Sequence, residues 1–306
     1  MGIPHLSSLP FVPGNFLSLP PEQSEYATSH VVVLPVAYDS TTSYRSGTRD
    51  GPQAIISASR HMEDFDDELG WEPCQAGIHT LPELEVNVDG PAETIDRVSE
   101  ATAALAKDGK LVALLGGEHS LSIGAVRGIQ SSYPDLSVLY LDAHGDLRDR
   151  YMGSSYSHAC TARRILEHCP VVHAGVRSLS QEEWKFSKEQ SLPLFRWGPN
   201  SDAHDIANAA ITRLSPHVYV SIDLDVLDPA LMPSVGTPEP GGMGWLDLLE
   251  LLRVVASSRQ IVGFDIMELA PQEGPHACSY IAARLTYKLI GYIVSAREGH
   301  LTITSP

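Results

Sequence analysis

Short, continuous apolar runs separated by segments with helical patterning are the feature that most constrains how this chain of 306 residues can fold. An apolar run without alternation is typical of a strand buried on both faces, and helices between such strands allow them to run parallel. We therefore predict one three-layer α/β/α domain over residues 30–306, with a mostly parallel central sheet. The predicted strands cover residues 31–38, 111–115, 136–141, 170–176, 218–222 and 260–266.

Helices are predicted between these strands from apolar periodicity and from start and stop signals such as Gly51-Pro52 and Asp108-Gly109. Residues 1–29 are rich in Pro, Ser and Leu without a clear period, so we predict an arm packed on the surface or on a neighbouring subunit. A frayed terminus is the alternative. One helix is predicted to begin at Gly51, and the others cover residues 91–107, 120–130, 158–168, 180–190, 202–213, 245–257 and 280–296.

The composition excludes several classes of protein. A net charge of −17 argues against nucleic acid as a partner, because phosphate binding needs clustered Lys and Arg, and it is compatible with a cationic ligand. The 4 cysteines form no C-x-x-C pair, so we expect reduced thiols in a cytoplasmic protein rather than disulfides or a zinc ribbon. No apolar run approaches the roughly 18 residues of a membrane span, and we expect no signal peptide.

Polar residues follow three of the predicted strands at the point where each strand ends. Residues 116–120 read Gly-Gly-Glu-His-Ser, residues 141–146 read Leu-Asp-Ala-His-Gly-Asp, and residues 221–229 read Ser-Ile-Asp-Leu-Asp-Val-Leu-Asp-Pro. In open α/β sheets, ligands bind outside the carboxyl ends of the strands. The three segments are therefore predicted to form one site.

The residue types in these segments indicate a metal site. Asp142, His144 and Asp146 are spaced by two, which places them on one side of an extended strand end. Crowded carboxylates repel one another and need a counter-charge, which two divalent cations supply. Carboxylates with some imidazole suit Mn²⁺ better than metals that prefer thiolates, although a single Asp-Ala-His is more often a turn or a cap. The candidate ligands are His119, Asp142, His144, Asp146, Asp223 and Asp225.

The three segments resemble the signature motifs of the ureohydrolase family, which includes arginase and agmatinase, and the resemblance extends over residues 31–296. It implies an arginase-like fold with two Mn²⁺ ions per subunit, bridged by Asp142 and Asp223, which cleave urea from a guanidino compound. By this resemblance one ion is held by His119, Asp142, Asp146 and Asp223, and the other by Asp142, His144, Asp223 and Asp225.

The resemblance also implies three catalytic residues. Asp146 orients the attacking hydroxide, His158 transfers a proton towards the leaving amine, and Glu268 pairs with the substrate guanidinium through parallel N–H bonds. Taken without the resemblance, a histidine at a helix start is more often structural, and a glutamate after a strand is often a surface residue. Six further histidines have no ligand spacing and are predicted to be structural: His61, His79, His173, His204, His217 and His276.

The substrate is predicted from differences within the family. Arginases carry an Asn soon after the aspartate-rich motif, where this chain has Leu147-Arg148-Asp149, and this puts arginine in doubt. The segment is more similar to that of prokaryotic agmatinases, so we predict a small cationic guanidino substrate, first agmatine, cleaved to putrescine and urea. N1-aminopropylagmatine, cleaved to spermidine and urea, is the main alternative; guanidinobutyrate, arginine and guanidine also stay open, and formiminoglutamate is disfavoured.

Two other classes of function are alternatives to a ureohydrolase. A zinc deacetylase on the same architecture needs one metal site rather than two, and a scaffold without activity predicts lost ligands, whereas all the candidate ligands are present. The family forms trimers and hexamers, so we expect a homo-oligomer.

Overall fold

The computed structural model describes residues 11–299 and residue 301, and within them one sheet of 8 strands forms the centre of the domain. All of the strand pairs in this sheet are parallel. The strand order is β2-β1-β3-β8-β7-β4-β5-β6. The strands are β1 (Val31–Val36), β2 (Ile78–Thr80), β3 (Leu111–Gly116), β4 (Ser137–Leu141), β5 (Val171–Val176), β6 (Leu194–Arg196), β7 (His217–Asp223) and β8 (Gln260–Met267).

Helices follow most of the strands and cover both faces of the sheet. The long helices begin and end within a few residues of their predicted bounds, except for the segment 158–168. There a single turn of 3₁₀ helix at His158–Cys160 precedes a short α-helix. The α-helices are α1 (Pro21–Ser24), α2 (Gly51–Ser59), α3 (Pro91–Lys107), α4 (Leu121–Gln130), α5 (Thr161–Ile165), α6 (Gln181–Glu189), α7 (Ala203–Ile211), α8 (Trp245–Ser258) and α9 (Ala277–Arg297).

The sheet separates two apolar cores, which explains the continuous apolar runs. Val31 and Val33 of β1 point into a core shared with α2, α7, α8 and α9. Val32 and Leu34 point into a second core, shared with α3, α4 and α5. Since both faces are buried, each strand needs apolar residues at every position. The predicted three-layer α/β/α fold with a parallel sheet is confirmed.

Two short strands were not predicted. Strands β2 and β6 have three residues each, and only Ile78 among these residues is buried. Both lie at the edges of the sheet, where one side of the strand has no partner. An edge strand of this length carries no continuous apolar run, so the pattern that identifies the central strands is missing.

Part of the segment predicted as an arm packs into the domain. Phe16, Leu17 and Leu19 are buried in the core that also contains Val31. The backbone N–H of Phe16 donates to Thr80 Oγ1 at 3.0 Å. Residues 1–10 of the predicted arm lie outside the described residues.

The strands that precede the polar segments are neighbours at the centre of the sheet. Their order is β3-β8-β7-β4, and because all of them are parallel their carboxyl ends lie at the same edge. This edge is where the predicted site residues belong. Among the described residues, no helix is long and apolar enough to cross a membrane.

Candidate active site

Four central strands each deliver a polar side chain to one edge of the sheet. His119 follows β3, Asp142 follows β4 directly, Asp223 is the last residue of β7, and Glu268 follows β8 directly. These side chains are almost completely buried, with exposures between 0 and 4%. Side chains from segments far apart in the chain thus meet because parallel strands end together.

Two groups of possible metal ligands lie side by side, and they share Asp142. The first contains His119, Asp142 and Asp223, and the second contains Asp142, His144 and Asp225. In the first group, His119 Nδ1 is 3.1 Å from Asp142 Oδ2 and 3.3 Å from Asp223 Oδ2. In the second, His144 Nδ1 is 2.9 Å from Asp225 Oδ2. The Nδ1 atoms of both histidines therefore face carboxylate oxygens.

Asp146 lies beside the first group. Its Oδ2 atom is 3.6 Å from His119 Nδ1 and accepts a hydrogen bond of 2.7 Å from the Tyr140 hydroxyl. Its backbone has φ 49°, in the left-handed region that non-glycine residues rarely adopt. Strand β4 ends at Leu141, where the predicted strand also ends. Asp146 is not extended, so the spacing by two does not by itself explain why its carboxylate lies beside His119.

The crowded carboxylates have unusual proton affinities. Burial, together with the nearby Asp225 and Asp142, raises the pKa of Asp223 well above its ordinary value. Burial and the charge of Asp142 raise the pKa of Asp146 to about 8. Burial lowers the pKa of His119, but the neighbouring carboxylates of Asp142 and Asp223 outweigh it and raise that pKa. Each shift reflects negative charge gathered in a volume with little water.

These residues fit divalent cations. The Asp142 Oδ2 atom is buried and has no hydrogen-bond partner among the described residues, although Asp142 belongs to both ligand groups. An unsatisfied buried carboxylate oxygen is costly unless a cation contacts it. The opposite side of the His119 ring is also held, because Nε2 lies 2.8 Å from Ser221 Oγ. Such an outer hydrogen bond orients an imidazole for metal binding.

Glu268 and His158 stand together beside the first group. Glu268 Oε1 accepts a hydrogen bond of 2.7 Å from the His119 backbone N–H and is 3.4 Å from His158 Nδ1. Glu268 also has a left-handed backbone, with φ 66°. Strained backbone of this kind is often found at functional sites, where surrounding contacts hold it. The distances place both residues beside the candidate ligands. The catalytic roles of Glu268 and His158 stay predictions.

A chain of hydrogen bonds supports His158. Its backbone N–H donates to Thr41 Oγ1 at 2.9 Å, and its Nε2 atom lies 3.0 Å from Ser43 Oγ. Thr41 in turn donates its N–H and its hydroxyl to the carboxylate of Glu118. Burial lowers the pKa of His158, but the contact with Glu268 outweighs it and raises the pKa to about 9. Burial raises the pKa of Glu118 to about 7.

Several residues around the site have no role predicted from the sequence. Glu118 and Ser221 lie within the polar segments themselves, so their positions were visible but their partners were not. Tyr140 has a polar tip in an otherwise apolar strand, which is a signal that a buried hydroxyl needs a partner. His173, predicted to be structural, lies beneath the same region and contacts Gly145 O through Nε2 at 3.1 Å.

A cleft opens beside the two ligand groups. Its deep end contains His144, Asp146 and Asp223, and its outer wall contains Arg148 and Tyr151. The Arg148 guanidinium lies 4.8 Å from the centre of the Tyr151 ring. The other residues that line the cleft are Ser43, His158, Ala159, Ser178, Leu179, Ser180, Glu183 and Thr237.

Comparisons with known proteins agree with this geometry. The family model described as "Arginase family" matches residues 29–291. An N(1)-aminopropylagmatine ureohydrolase from a Synechocystis species is 40% identical over 277 residues, which cover 88% of this chain and 90% of that protein. An agmatinase from Pyrococcus horikoshii is 36% identical, with 87% of this chain and 92% of that protein covered.

A solved structure of a ureohydrolase also matches this fold. The agmatine ureohydrolase of Thermoplasma volcanium superimposes with a TM-score of 0.83 at 31% identity, covering 97% of this chain and 99% of that one. These matches, with the paired His and Asp groups at the strand ends, rule out the zinc deacetylase alternative. The chain belongs to the arginase family, the dinuclear-metal ureohydrolases that act on guanidino groups.

Proposed function

We propose that this enzyme hydrolyses N1-aminopropylagmatine to spermidine and urea with two Mn²⁺ ions. The observation that carries the proposal is the pair of His and Asp groups that share Asp142, with Glu268 beside them. Relatives that are 36–40% identical and carry the name N(1)-aminopropylagmatine ureohydrolase favour this substrate. Agmatine, which sequence analysis placed first, is the second candidate, because relatives named agmatinase are also similar.

The donor set supports Mn²⁺ as the metal. Carboxylate oxygens with two imidazole nitrogens suit a hard to borderline divalent cation, and no cysteine lies in either ligand group. When bound, the ion pair makes water a competent nucleophile near neutral pH and stabilises negative charge that develops on the attacked group. The residues proposed to hold the ions are His119, Asp142, His144, Asp146, Asp223 and Asp225.

Glu268 is proposed to bind the substrate guanidinium. A carboxylate can accept two parallel N–H bonds from the planar fork, which fixes the orientation of the reacting carbon. The Glu268 backbone is held in place, because its N–H donates to Gly117 O at 2.8 Å. Its carboxylate is therefore presented from a rigid strand end rather than from a mobile loop.

His158 is proposed to move a proton to the leaving amine nitrogen. Its ring reaches the cleft, and its Nδ1 and Nε2 atoms contact Glu268 and Ser43, so the ring orientation is fixed at both ends. An alkylamine is a poor leaving group unless it is protonated, so a positioned acid at this point favours cleavage of the C–N bond on the alkyl side. Asp146, which also lines the cleft, is proposed to orient the attacking water.

The outer cleft is proposed to accept the aminoalkyl tail. The ring of Tyr151 lines this part and offers an aromatic face to a cationic chain. Arg148 contacts this ring, and its Nε atom lies 4.0 Å from Oε2 of the buried Glu183. A tail that carries two amines has more groups to place here than agmatine has, so the outer wall is where the two substrates are distinguished.

Urea release from the purified, Mn²⁺-loaded protein tests the proposal. N1-aminopropylagmatine, agmatine, arginine, 4-guanidinobutyrate and guanidine are compared at equal concentrations, with the Asp142→Asn variant as the inactive control. We expect the highest kcat/KM for N1-aminopropylagmatine, agmatine second, and no urea from the variant. A higher kcat/KM for agmatine would reverse the order of the two substrates. No urea from any of the compounds, with two ions bound, would overturn the proposal.

Two further expectations belong with this proposal. A trimer or hexamer is expected from the family resemblance, and sedimentation or light scattering of the full chain measures it. The free, buried state of all the cysteines (Cys74, Cys160, Cys169 and Cys278) agrees with the cytoplasmic location expected from the sequence.

A further inference from the structure

The hydroxyl of Tyr140 lies at the base of the proposed metal centre. Tyr140 is the fourth residue of β4 and is completely buried. Its hydroxyl donates to Asp146 Oδ2 at 2.7 Å and lies 3.0 Å from His119 Nδ1. Its ring is stacked on that of His119, with the centroids 4.5 Å apart and the planes 8° from parallel. One side chain thus contacts two of the proposed ligands.

A second aromatic residue supports Tyr140 from the other side. The His173 ring lies 5.3 Å from the Tyr140 ring, and its Nε2 atom contacts Gly145 O at 3.1 Å. Gly145 immediately precedes Asp146. The packed rings of His119, Tyr140 and His173 therefore reach both the carboxylate of Asp146 and the backbone that leads into it.

Asp146 needs such support because its backbone is strained. Its φ of 49° is in the left-handed region, where a side chain with a Cβ is held only by surrounding contacts. Among the described residues, the Tyr140 hydroxyl is the one hydrogen-bond donor to the Asp146 carboxylate. This bond therefore fixes one oxygen of the carboxylate beside the cleft that Asp146 lines.

We propose that Tyr140 is a positioning residue that sets the Asp146 carboxylate for the ion bound with His119. This inference rests on the proposed metal centre. With an ion held by His119 Nδ1, the nitrogen lone pair would no longer accept a hydrogen bond from the Tyr140 hydroxyl, which would then donate to Asp146 alone. A hydrogen bond of this kind to a ligating carboxylate fixes its orientation and strengthens metal binding.

The Tyr140→Phe variant tests the inference, because it removes the hydroxyl and keeps the ring that packs between the histidines. Tyr292→Phe is the matched control: Tyr292 is also completely buried, and its hydroxyl donates to a carboxylate oxygen, Glu68 Oε2, at 2.8 Å. The measurement is Mn²⁺ binding to the metal-free full chain, by competition with a chelating dye. We expect Tyr140→Phe to lower the affinity for one of the two ions by about tenfold or more, and Tyr292→Phe to leave both affinities unchanged.

A double-mutant cycle separates a specific role from general loosening. If Tyr140 acts through Asp146, the Tyr140→Phe/Asp146→Asn protein binds Mn²⁺ no more weakly than Asp146→Asn alone. Additive losses would overturn the inference, and so would a Tyr140→Phe protein that keeps both wild-type affinities. A wild-type protein that binds fewer than two ions would instead contradict the proposed metal centre, so the two failures are distinguishable.

Discussion

The metal centre and the cleft wall differ in how they are built. The metal centre, defined by the proposed ligands His119, Asp142, His144, Asp146, Asp223 and Asp225, lies at or just after the ends of central strands. The cleft wall, defined by Arg148 and Tyr151, lies on the connection between β4 and the 3₁₀ turn at His158–Cys160. Five of the six ligands are buried, whereas Met152 beside the wall is 78% exposed.

This difference separates chemistry from selectivity. Side chains at the ends of paired strands have little freedom, because each strand is held by its neighbours, and they suit a task that needs fixed distances. Connections on the surface tolerate changes of length and sequence without loss of the sheet. We therefore expect changes in the metal centre to abolish the reaction and changes in the cleft wall to alter which substrate is preferred.

Loss of the shared ligand has the largest expected effect. Asp142→Asn removes negative charge from both ligand groups at once, so we expect the affinity for both ions to fall and kcat/KM to fall by about 10³-fold or more. Metal analysis after dialysis and urea release measure the two effects. Asp135→Asn, which changes an exposed aspartate paired with His217, is the matched control and keeps both properties. Full metal content with full activity in Asp142→Asn would remove the distinction between the two regions.

The Glu268→Gln variant should separate substrate binding from metal binding. The amide keeps the shape of the side chain but loses the charge that pairs with a guanidinium, so we expect kcat/KM to fall by about 10²-fold. Because Glu268 is not among the proposed ligands, two ions should stay bound. A loss of metal in parallel with activity would place Glu268 in the metal centre instead.

Loss of the contact between Ser43 and His158 should have a smaller effect on the reaction. Ser43→Ala removes the contact to His158 Nε2, and a typical intramolecular hydrogen bond contributes about 1 kcal/mol, which corresponds to roughly a fivefold lower kcat. Steady-state kinetics with N1-aminopropylagmatine measure it. Ser154→Ala, a change of the same kind away from the His158 side chain, serves as the control. An unchanged kcat would show that Ser43 does not orient the histidine.

Arg148→Gln has the smallest expected effect, and it changes preference rather than rate. Removal of a partly exposed cation from the outer cleft should lower KM about threefold for substrates with a cationic tail and raise it for 4-guanidinobutyrate, whose tail is anionic. The metal content should not change. Equal shifts of KM for both kinds of tail would contradict a role for Arg148 in reading tail charge.

The sequence predicts the interior better than the periphery. The strands with both faces buried carry continuous apolar runs, and each such run was assigned correctly, whereas β2 and β6 have too few buried residues to leave this signal. The helix predicted over 158–168 is shorter, because His158–Cys160 forms a 3₁₀ turn that presents His158 to the cleft. This 3₁₀ turn takes the place of the first turn of the α-helix that local patterning favours.

The same limit applies within the site. The positions of Asp142, His144 and Asp146 could be predicted, since the strand that precedes them is apolar, but their arrangement could not. The left-handed conformation of Asp146 and the donor role of Tyr140 depend on contacts between residues that periodicity does not encode. Likewise, the link from Glu118 through Thr41 to His158 joins three distant segments, and no single segment signals it.

The most direct test of the account is a crystal structure of the Mn²⁺-loaded protein with anomalous diffraction at the manganese edge. The account predicts two anomalous peaks per subunit, about 3.5–4 Å apart, with the Asp142 carboxylate in contact with both. His119 should contact one ion and His144 the other. A single peak, or two peaks that share no carboxylate of this cluster, would contradict the account.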